Sequence, residues 1–366
     1  MVRVKQSSSS QNSIFGSQFL NQSQHLVKAK VVALSSLAFF LAISAITASA
    51  EVNSQDTSPG AAVSSGAGET SVKAADSAPA PKAAKFKASF DRFYYEFEGV
   101  NDSSREFGGL TTYGFERVTF NSNVMALSYN YDPLLSFTVQ NSYNKVYAET
   151  YFFEELFKDE TEGFGDTTVK ATKTFLRQSG IYVGEFGFIL PTGSVTEKNI
   201  RGNFNYPYNM QLGSGTYDFM ASGTYLKMVG KHQLGAFGMA TVRTGQNSEG
   251  YRRGDEFIAK TWYSYMVNPY LSPGVWANYQ NIQGIIGRDR DFDGANRAFS
   301  DPLLRFYYSP RTFWDVTANV SGNYPITSGL KVKGMLGAPL AQHSYNKDDV
   351  QLYTQWFMQA GLEGSF

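Results

Sequence analysis

The chain has 366 residues, no cysteine, and 32 basic against 32 acidic side chains. Without cysteine there can be no disulfide framework, no thiolate metal site and no cysteine-borne lipid anchor. Charged residues make up only 17% and aromatics 15%, against roughly 25% charged in ordinary soluble domains, a balance opposite to that of disordered chains.

Residues 1–30 hold four basic and no acidic side chains and lead into the apolar run VVALSSLAFFLAISAITASA, which ends Ala48-Ser49-Ala50. A basic start, a short apolar core and an A-x-A end predict a cleaved secretory signal over residues 1–50 rather than a membrane anchor, since no basic stop-transfer cluster follows. Its removal leaves 28 bases against 32 acids, a slight negative excess that argues against nucleic acid as a partner. Residues 51–85 are Ala, Ser, Gly and Pro with no aromatic. Such a segment cannot bury enough surface to offset its ordering entropy and is expected to be a disordered linker.

The texture changes at Phe86. No run is long and apolar enough for a helical membrane span, and ten-residue segments alternate apolar with polar instead. In LSFTVQNSY, Leu135, Phe137, Val139 and Tyr143 share one face. In GIYVGEFGFIL the face is Tyr182, Gly184, Phe186, Phe188 and Leu190, and in WDVTANVSGNY it is Trp314, Val316, Ala318, Val320 and Tyr324. Strands are predicted at 88–97, 118–130, 135–148, 164–175, 180–190, 214–228, 232–243, 254–268, 270–282, 311–324, 329–339 and 350–366. Twelve strands result, and the connections between them alternate short and long. A soluble sandwich has no reason to sort its loops by parity, whereas short periplasmic turns and long outer loops are the pattern of an outer-membrane barrel. Aromatics gather near strand ends, at Tyr129, Tyr131, Tyr263, Tyr265, Tyr307, Tyr308, Tyr324 and Phe366, as rings at headgroup level do. Closure would also remove the edges of such long strands. The reading is an all-β antiparallel transmembrane barrel of about twelve strands over residues 86–366, in the outer membrane of a Gram-negative bacterium and surrounded by its lipids.

Four stretches, GFGDTTVKA (163–171), ILPTGS (189–194), MQLGSGTYDFMASGTYL (210–226) and VRTGQNSEGYRRGDEF (242–257), resemble in order and spacing the MetA-pathway phenol-degradation family of Gram-negative outer-membrane proteins. The resemblance covers about 118–366, while the stretch before about 110 resembles no family. It implies a barrel that passes small, often aromatic or apolar, molecules. A structural or adhesive barrel without transport is the alternative.

If Phe366 faces lipid, alternation sends Gln351, Gln355, Gln359 and Glu363 to the lumen, and the same phase adds Asp166, Lys170, Glu185, Asp218, Arg243, Glu256, Lys260, Asp315, Lys331 and Lys333. This mixed-sign interior does not select by a uniform ring of charge. Its members either pair across a narrow lumen or line a wet pore, and apolar ligands would meet Trp262, Trp276, Phe237 and Met239 instead. No cofactor is expected except a possible calcium ion. In the loop sequence DRDFDG, Asp289, Asp291 and Asp293 precede Gly294 as the carboxylates that open a calcium loop do, although Ser300 stands where the closing glutamate would be. The other reading is a solvated acidic turn.

Some twelve-stranded barrels are lipases, and a serine hydrolase needs a base beside its nucleophile. His25 leaves with the signal, while His232 and His343 fall at a turn and a loop away from any convincing serine, so no catalytic residue is assigned. Asp255 and Glu256 lack the histidine a barrel protease would need. The strand ending QAGLEGSF, with Gln359, Gly361, Leu362 and Phe366, resembles the signal read by the barrel-assembly machinery, departing at Gly364 where a large apolar residue is usual. Phe366 is expected to close the barrel beside the first strand.

Overall fold

Alternation sends Leu135, Phe137 and Val139 to one side of a strand and Ser136, Thr138 and Gln140 to the other, and in the computed structural model the ladders close so that the first side points outward. The structure describes residues 85–99, 106–107, 110–111, 113–152, 155–198, 205–206, 208, 210–289, 310–344 and 352–366. The expected signal and nearly all of the linker lie outside the described residues.

The strands in chain order are β1 (Phe86–Gly99), β2 (Glu106–Phe107), β3 (Leu110–Thr111), β4 (Tyr113–Asp132), β5 (Leu135–Phe152), β6 (Glu155–Phe164), β7 (Thr167–Arg177), β8 (Gly180–Leu190) and β9 (Asp218–Val229), followed by β10 (His232–Arg243), β11 (Tyr251–Arg252), β12 (Glu256–Tyr265), β13 (Leu271–Ile282), β14 (Ile286–Gly287), β15 (Arg311–Thr327), β16 (Leu330–Ser344) and β17 (Leu352–Ser365). The wall runs β4-β1-β17-β16-β15-β13-β12-β10-β9-β8-β7-β5, and pairing of β4 with β5 closes it into a ring of twelve antiparallel staves. The remaining short pairs, β2 with β3 and β11 with β14, lie outside the wall. Each closed ladder satisfies its backbone donors and acceptors, which lipid could not do. The seam joins chain regions far apart in sequence: Phe86 and Phe366 exchange both backbone hydrogen bonds at 2.9 Å.

Two departures from the sequence reading share a cause. Within 149–163, expected as a loop, residues 149–152 continue β5 and residues 155–163 belong to β6, which pairs with the upper part of β5 while β7 pairs with its lower part. On β1 the lower residues are apolar outside (Phe86, Ala88, Phe90) and polar inside (Lys87, Ser89, Asp91), as lipid demands. From Arg92 upward the chemistry inverts at unchanged phase: Arg92, Tyr94, Glu96 and Glu98 point out, and Phe93, Tyr95 and Phe97 point in. β5 does the same, with Lys145, Tyr147 and Glu149 outside and the buried Val146 and Ala148 inside. The inversion marks the level at which the outer face passes from hydrocarbon to water, so the wall extends above the membrane with a soluble protein's patterning.

Rings line the opposite rim. Phe86 lies between Tyr129 (5.3 Å) and Phe366 (6.4 Å), His232 contacts Tyr263 and Tyr265, and Tyr270 contacts Tyr324 at 5.1 Å. This is the periplasmic girdle. Tyr307 and Tyr308, expected in a girdle, lie outside the described residues.

Candidate functional site: lumen and outer cap

All eleven charged residues expected in the lumen lie on the inward face or at its outer mouth, and most are tied to one another or to nearby polar groups. Near the periplasmic end, Lys333 meets Asp91 at 2.9 Å and Lys87 meets Glu363 at 3.0 Å. Gln359 also donates to Asp91 at 3.1 Å, and Lys331 stands opposite Glu363 in the ladder. Across β7, β8 and β9, Glu185 accepts from Lys170 (2.9 Å), Thr172 (3.1 Å) and Ser222 (2.9 Å). Asp315 accepts from Trp276 (3.2 Å), Asn278 (3.0 Å) and Thr317 (2.7 Å). Lys260 places its Nζ 4.2 Å from the Trp276 ring centroid. Of the two readings held open for these charges, the geometry favours mutual pairing: few are left to meet a solute as bare charges.

The lumen wall divides by chemistry. Staves β5, β7, β8 and β9 present Ser136, Thr138, Gln140, Thr168, Lys170, Thr172, Glu185, Ser222 and Thr224. The rest of the ring carries inward aromatics that form a continuous track. From Phe97 the ring steps are 6.1 Å to Tyr95, 5.6 Å to Phe357 and 5.0 Å to Trp276, which is itself capped by Lys260. Phe120 flanks Tyr95 at 6.4 Å. The track descends from the part of the wall above the membrane to staves whose outer neighbours, Val275 and Ala277, are apolar. Phe357 lies flat on the wall because β16 offers Gly337 beneath it; a Cβ there would stand 2.4 Å from the ring. Trp262, Phe237 and Met239, expected as apolar contacts, face inward on β12 and β10. The sequence reading does not single out Phe93, Tyr95, Phe120 or Phe357, although the phase set by Phe366 already turns Phe357 inward. For Phe93 and Tyr95 the signal is the inversion at Arg92.

At the outer mouth the four family-like stretches converge. Asp166, in the break between β6 and β7, accepts from Gly193 N (2.9 Å) and Ser214 N (2.7 Å). Arg243 binds Asp218 at 2.8 Å and lies 3.7 Å from Glu256, and its backbone N–H donates to Asp255 at 2.9 Å. Arg253, half-buried, donates to the carbonyls of Tyr208 and Gln211 at 2.8 Å each. Burial pushes the Tyr251 phenol up to about 12 and draws the Arg253 guanidinium down. The described parts of these stretches thus build a hydrogen-bonded cap over the outer mouth.

Of the three carboxylates proposed for calcium, Asp291 and Asp293 lie outside the described residues. Asp289 is fully buried, and its oxygens accept the Asn205 amide at 3.1 and 3.3 Å. Among the described residues no three Asp, Glu or His side chains converge, so those residues alone do not make a calcium site. His232 Nδ1 lies 2.8 Å from the Tyr263 hydroxyl in the girdle, and His343 faces Trp314 at 6.2 Å.

A family model described as "Putative MetA-pathway of phenol degradation" matches residues 67–330, starting within the expected linker and well before residue 118. No curated protein matches the sequence. Among solved structures, the fold is similar to the COG4313 outer membrane channel from Pseudomonas putida F1, with 14% identity, 81% of this chain and 100% of that chain covered, and a TM-score of 0.52. The KdgM porin in complex with disordered oligogalacturonate is similar at 10% identity, 76% and 99% coverage and a TM-score of 0.35. The transport unit of the autotransporter AIDA-I from Escherichia coli reaches 13% identity, 80% and 93% coverage and a TM-score of 0.41.

Proposed function

The chain belongs to the MetA-pathway phenol-degradation family, and from that premise we propose that it is a non-enzymatic outer-membrane channel for small molecules that favours aromatic or apolar ones. The observation that carries this reading is the ring track Phe97–Tyr95–Phe357–Trp276, which lines one side of a lumen whose other side is hydroxyl and paired charge. A planar apolar solute can exchange one ring contact for the next at about 0.5–1.5 kcal/mol each, never meeting a single deep well. Because most of the lumen charges are paired, as Lys333 with Asp91 and Lys170 with Glu185, an uncharged solute encounters no uniform field.

Refolded protein in liposomes tests this. Phenol entry should exceed that of a polyol of similar size, and Phe357→Ala with Trp276→Ala should remove the preference while leaving ionic conductance at or above the parent's. Absence of any flux or channel opening would favour a structural barrel, and hydrolysis of lipid or peptide by the same sample would favour an enzyme. Insertion is proposed to proceed through the barrel-assembly machinery reading β17, in particular Gln359, Gly361, Leu362 and Phe366. A calcium ion held from Asp289, Asp291 and Asp293 is a separate proposal. A calcium-dependent thermal shift that Asp291→Asn abolishes supports it, and a parent without any shift ends it.

A further inference from the structure

The outer surface of β7–β12 carries a feature that passage through the lumen does not use. Gly184, Gly223 and Gly238 are direct ladder neighbours, and Ala259 continues the row. All four point to lipid, and where Gly184 and Gly223 would carry a Cβ nothing stands within 4 Å. The result is a trough of about 510 Å³ bordered by Phe175, Tyr182, Tyr225 and Ala236. On its periplasmic side the Tyr182 and Tyr225 rings pack at 4.9 Å, and Tyr225 is fixed by a 2.8 Å hydrogen bond to the Ser179 carbonyl. On the far side Phe186, Phe188 and Phe219 stand edge to face, with centroids 5.4 and 5.2 Å apart.

The row beyond the tyrosines is basic. Arg177 pairs with Gly180 in the ladder, and one step past the Ile181–Leu226 pair places Gly180 beside Lys227. Arg177 and Lys227 are both exposed on the outer face, about 10 Å apart across two strand spacings, with the edge of the Tyr225 ring lying over Gly180 between them. Neither has an ion-pair partner among the described residues. Two unpaired cations at the periplasmic headgroup level, one on each side of the Tyr225 ring edge and just below an apolar trough, match the charge and shape of one amphiphile.

We propose that this face binds a phospholipid of the periplasmic leaflet, with its phosphodiester held by Arg177 and Lys227 at the outer edge of the Tyr225 ring and one acyl chain lying in the trough over Gly184, Gly223 and Gly238. The site holds a lipid for longer than ordinary boundary contact does, and it is independent of what crosses the lumen.

Native mass spectrometry of the full-length protein, with phosphatidylglycerol as the probe, tests the site. The parent should keep one phosphatidylglycerol under detergent conditions that strip boundary lipid. Arg177→Gln combined with Lys227→Gln should lower retention by roughly tenfold or more. Gly223→Leu, which fills the trough, should do the same, whereas Ala318→Leu, on a distant outward face, should change nothing. Heat-modifiable gel migration reports whether each variant is folded; should Gly223→Leu fail to fold, the Arg177/Lys227 pair carries the test. Equal retention in the parent and the charge variant overturns the proposal. So does a barrel dimer, without lipid, that Gly223→Leu abolishes, since the trough would then be a contact between copies of this chain.

Discussion

Replacing Asp91 with Asn removes one charge from the periplasmic half of the lumen and leaves shape nearly unchanged. Asp91 is 7% exposed and accepts from Lys333 at 2.9 Å and from Gln359 at 3.1 Å. Gly361 makes this possible: a Cβ at that position would stand 2.3 Å from the Asp91 carboxylate and 2.8 Å from the Lys333 side chain. Breaking a buried pair from one side costs about 3–5 kcal/mol, because the remaining charge stays desolvated. Lys333 is 21% exposed and lines a lumen, so water recovers part of that and we expect a loss of about 2–3 kcal/mol. Lys333→Met alone should cost about as much. The double substitution should cost much less than the sum, with a coupling of at least about 1.5 kcal/mol. Reversible urea unfolding of the barrel in detergent micelles, followed by tryptophan fluorescence, measures all four corners of the cycle. If both single variants lie within about 0.5 kcal/mol of the parent, the pair is fully hydrated and the neutralised-lumen argument fails with it.

Other expectations follow from the cap, the seam and the track. Asp166→Ala strands two backbone N–H groups whose bonds to a charged acceptor are worth about 1.5–3 kcal/mol each; the outer loops should become protease-sensitive while heat-modifiable migration persists. Equal protease resistance would show that Asp166 does not hold the cap. The Tyr251 phenol, raised from 10.0 to about 12 by burial, stays neutral in the folded cap while an unfolded one ionises. Its contribution is therefore complete below pH 10 and lost as pH rises from about 10 towards 12, by roughly 2–3 kcal/mol. Proteolysis of the cap across that range should rise in the parent but not in Tyr251→Phe, and coincident profiles would refute the assignment. Deleting Phe366 should leave periplasmic aggregate in place of inserted barrel; normal insertion would show that its bonds to Phe86 are dispensable. In the track, Trp276→Ala also frees Lys260 from its ring and Asp315 from one donor, so its conductance should rise more than that of Phe357→Ala.

The lipid face was legible because hydrocarbon imposes a two-residue period on Leu135, Phe137 and Val139, or on Phe186 and Phe188, that no local context overrides. The same phase carried the charged residues inward, since Lys170 and Glu185 are placed by alternation even though their pairing is not written in either strand alone. What escaped lay above the membrane. In Glu155–Phe164 the sequence is acidic on both faces, because neither touches lipid, and so it reads as a loop. It is a strand because β5 stands beside it, with Lys145 and Glu160 at 2.6 Å and Lys158 and Glu149 at 3.4 Å. Tyr95 is hidden for the complementary reason: a rule that sends rings to lipid holds only as far up the wall as lipid reaches. The Asp91–Lys333 contact, between residues from opposite ends of the barrel sequence, is visible only once the ring is closed.

That closure has a kinetic side. Among the described residues, every ladder of the wall but one joins strands that are near neighbours along the chain, so an open sheet can grow by successive hairpins at little loop-closure cost. The pairing of Phe86 with Phe366 is different, since it waits for the whole wall and pays for the longest loop in the molecule. Until it forms, two strand edges remain exposed. The two residues it joins are adjacent on one rim, so the ring itself has no preferred origin. A circular permutant that links them through a short connector and opens at the Gly230–Lys231 turn should keep every ladder, while moving the slow step, and the edges that wait for it, to the boundary between β9 and β10.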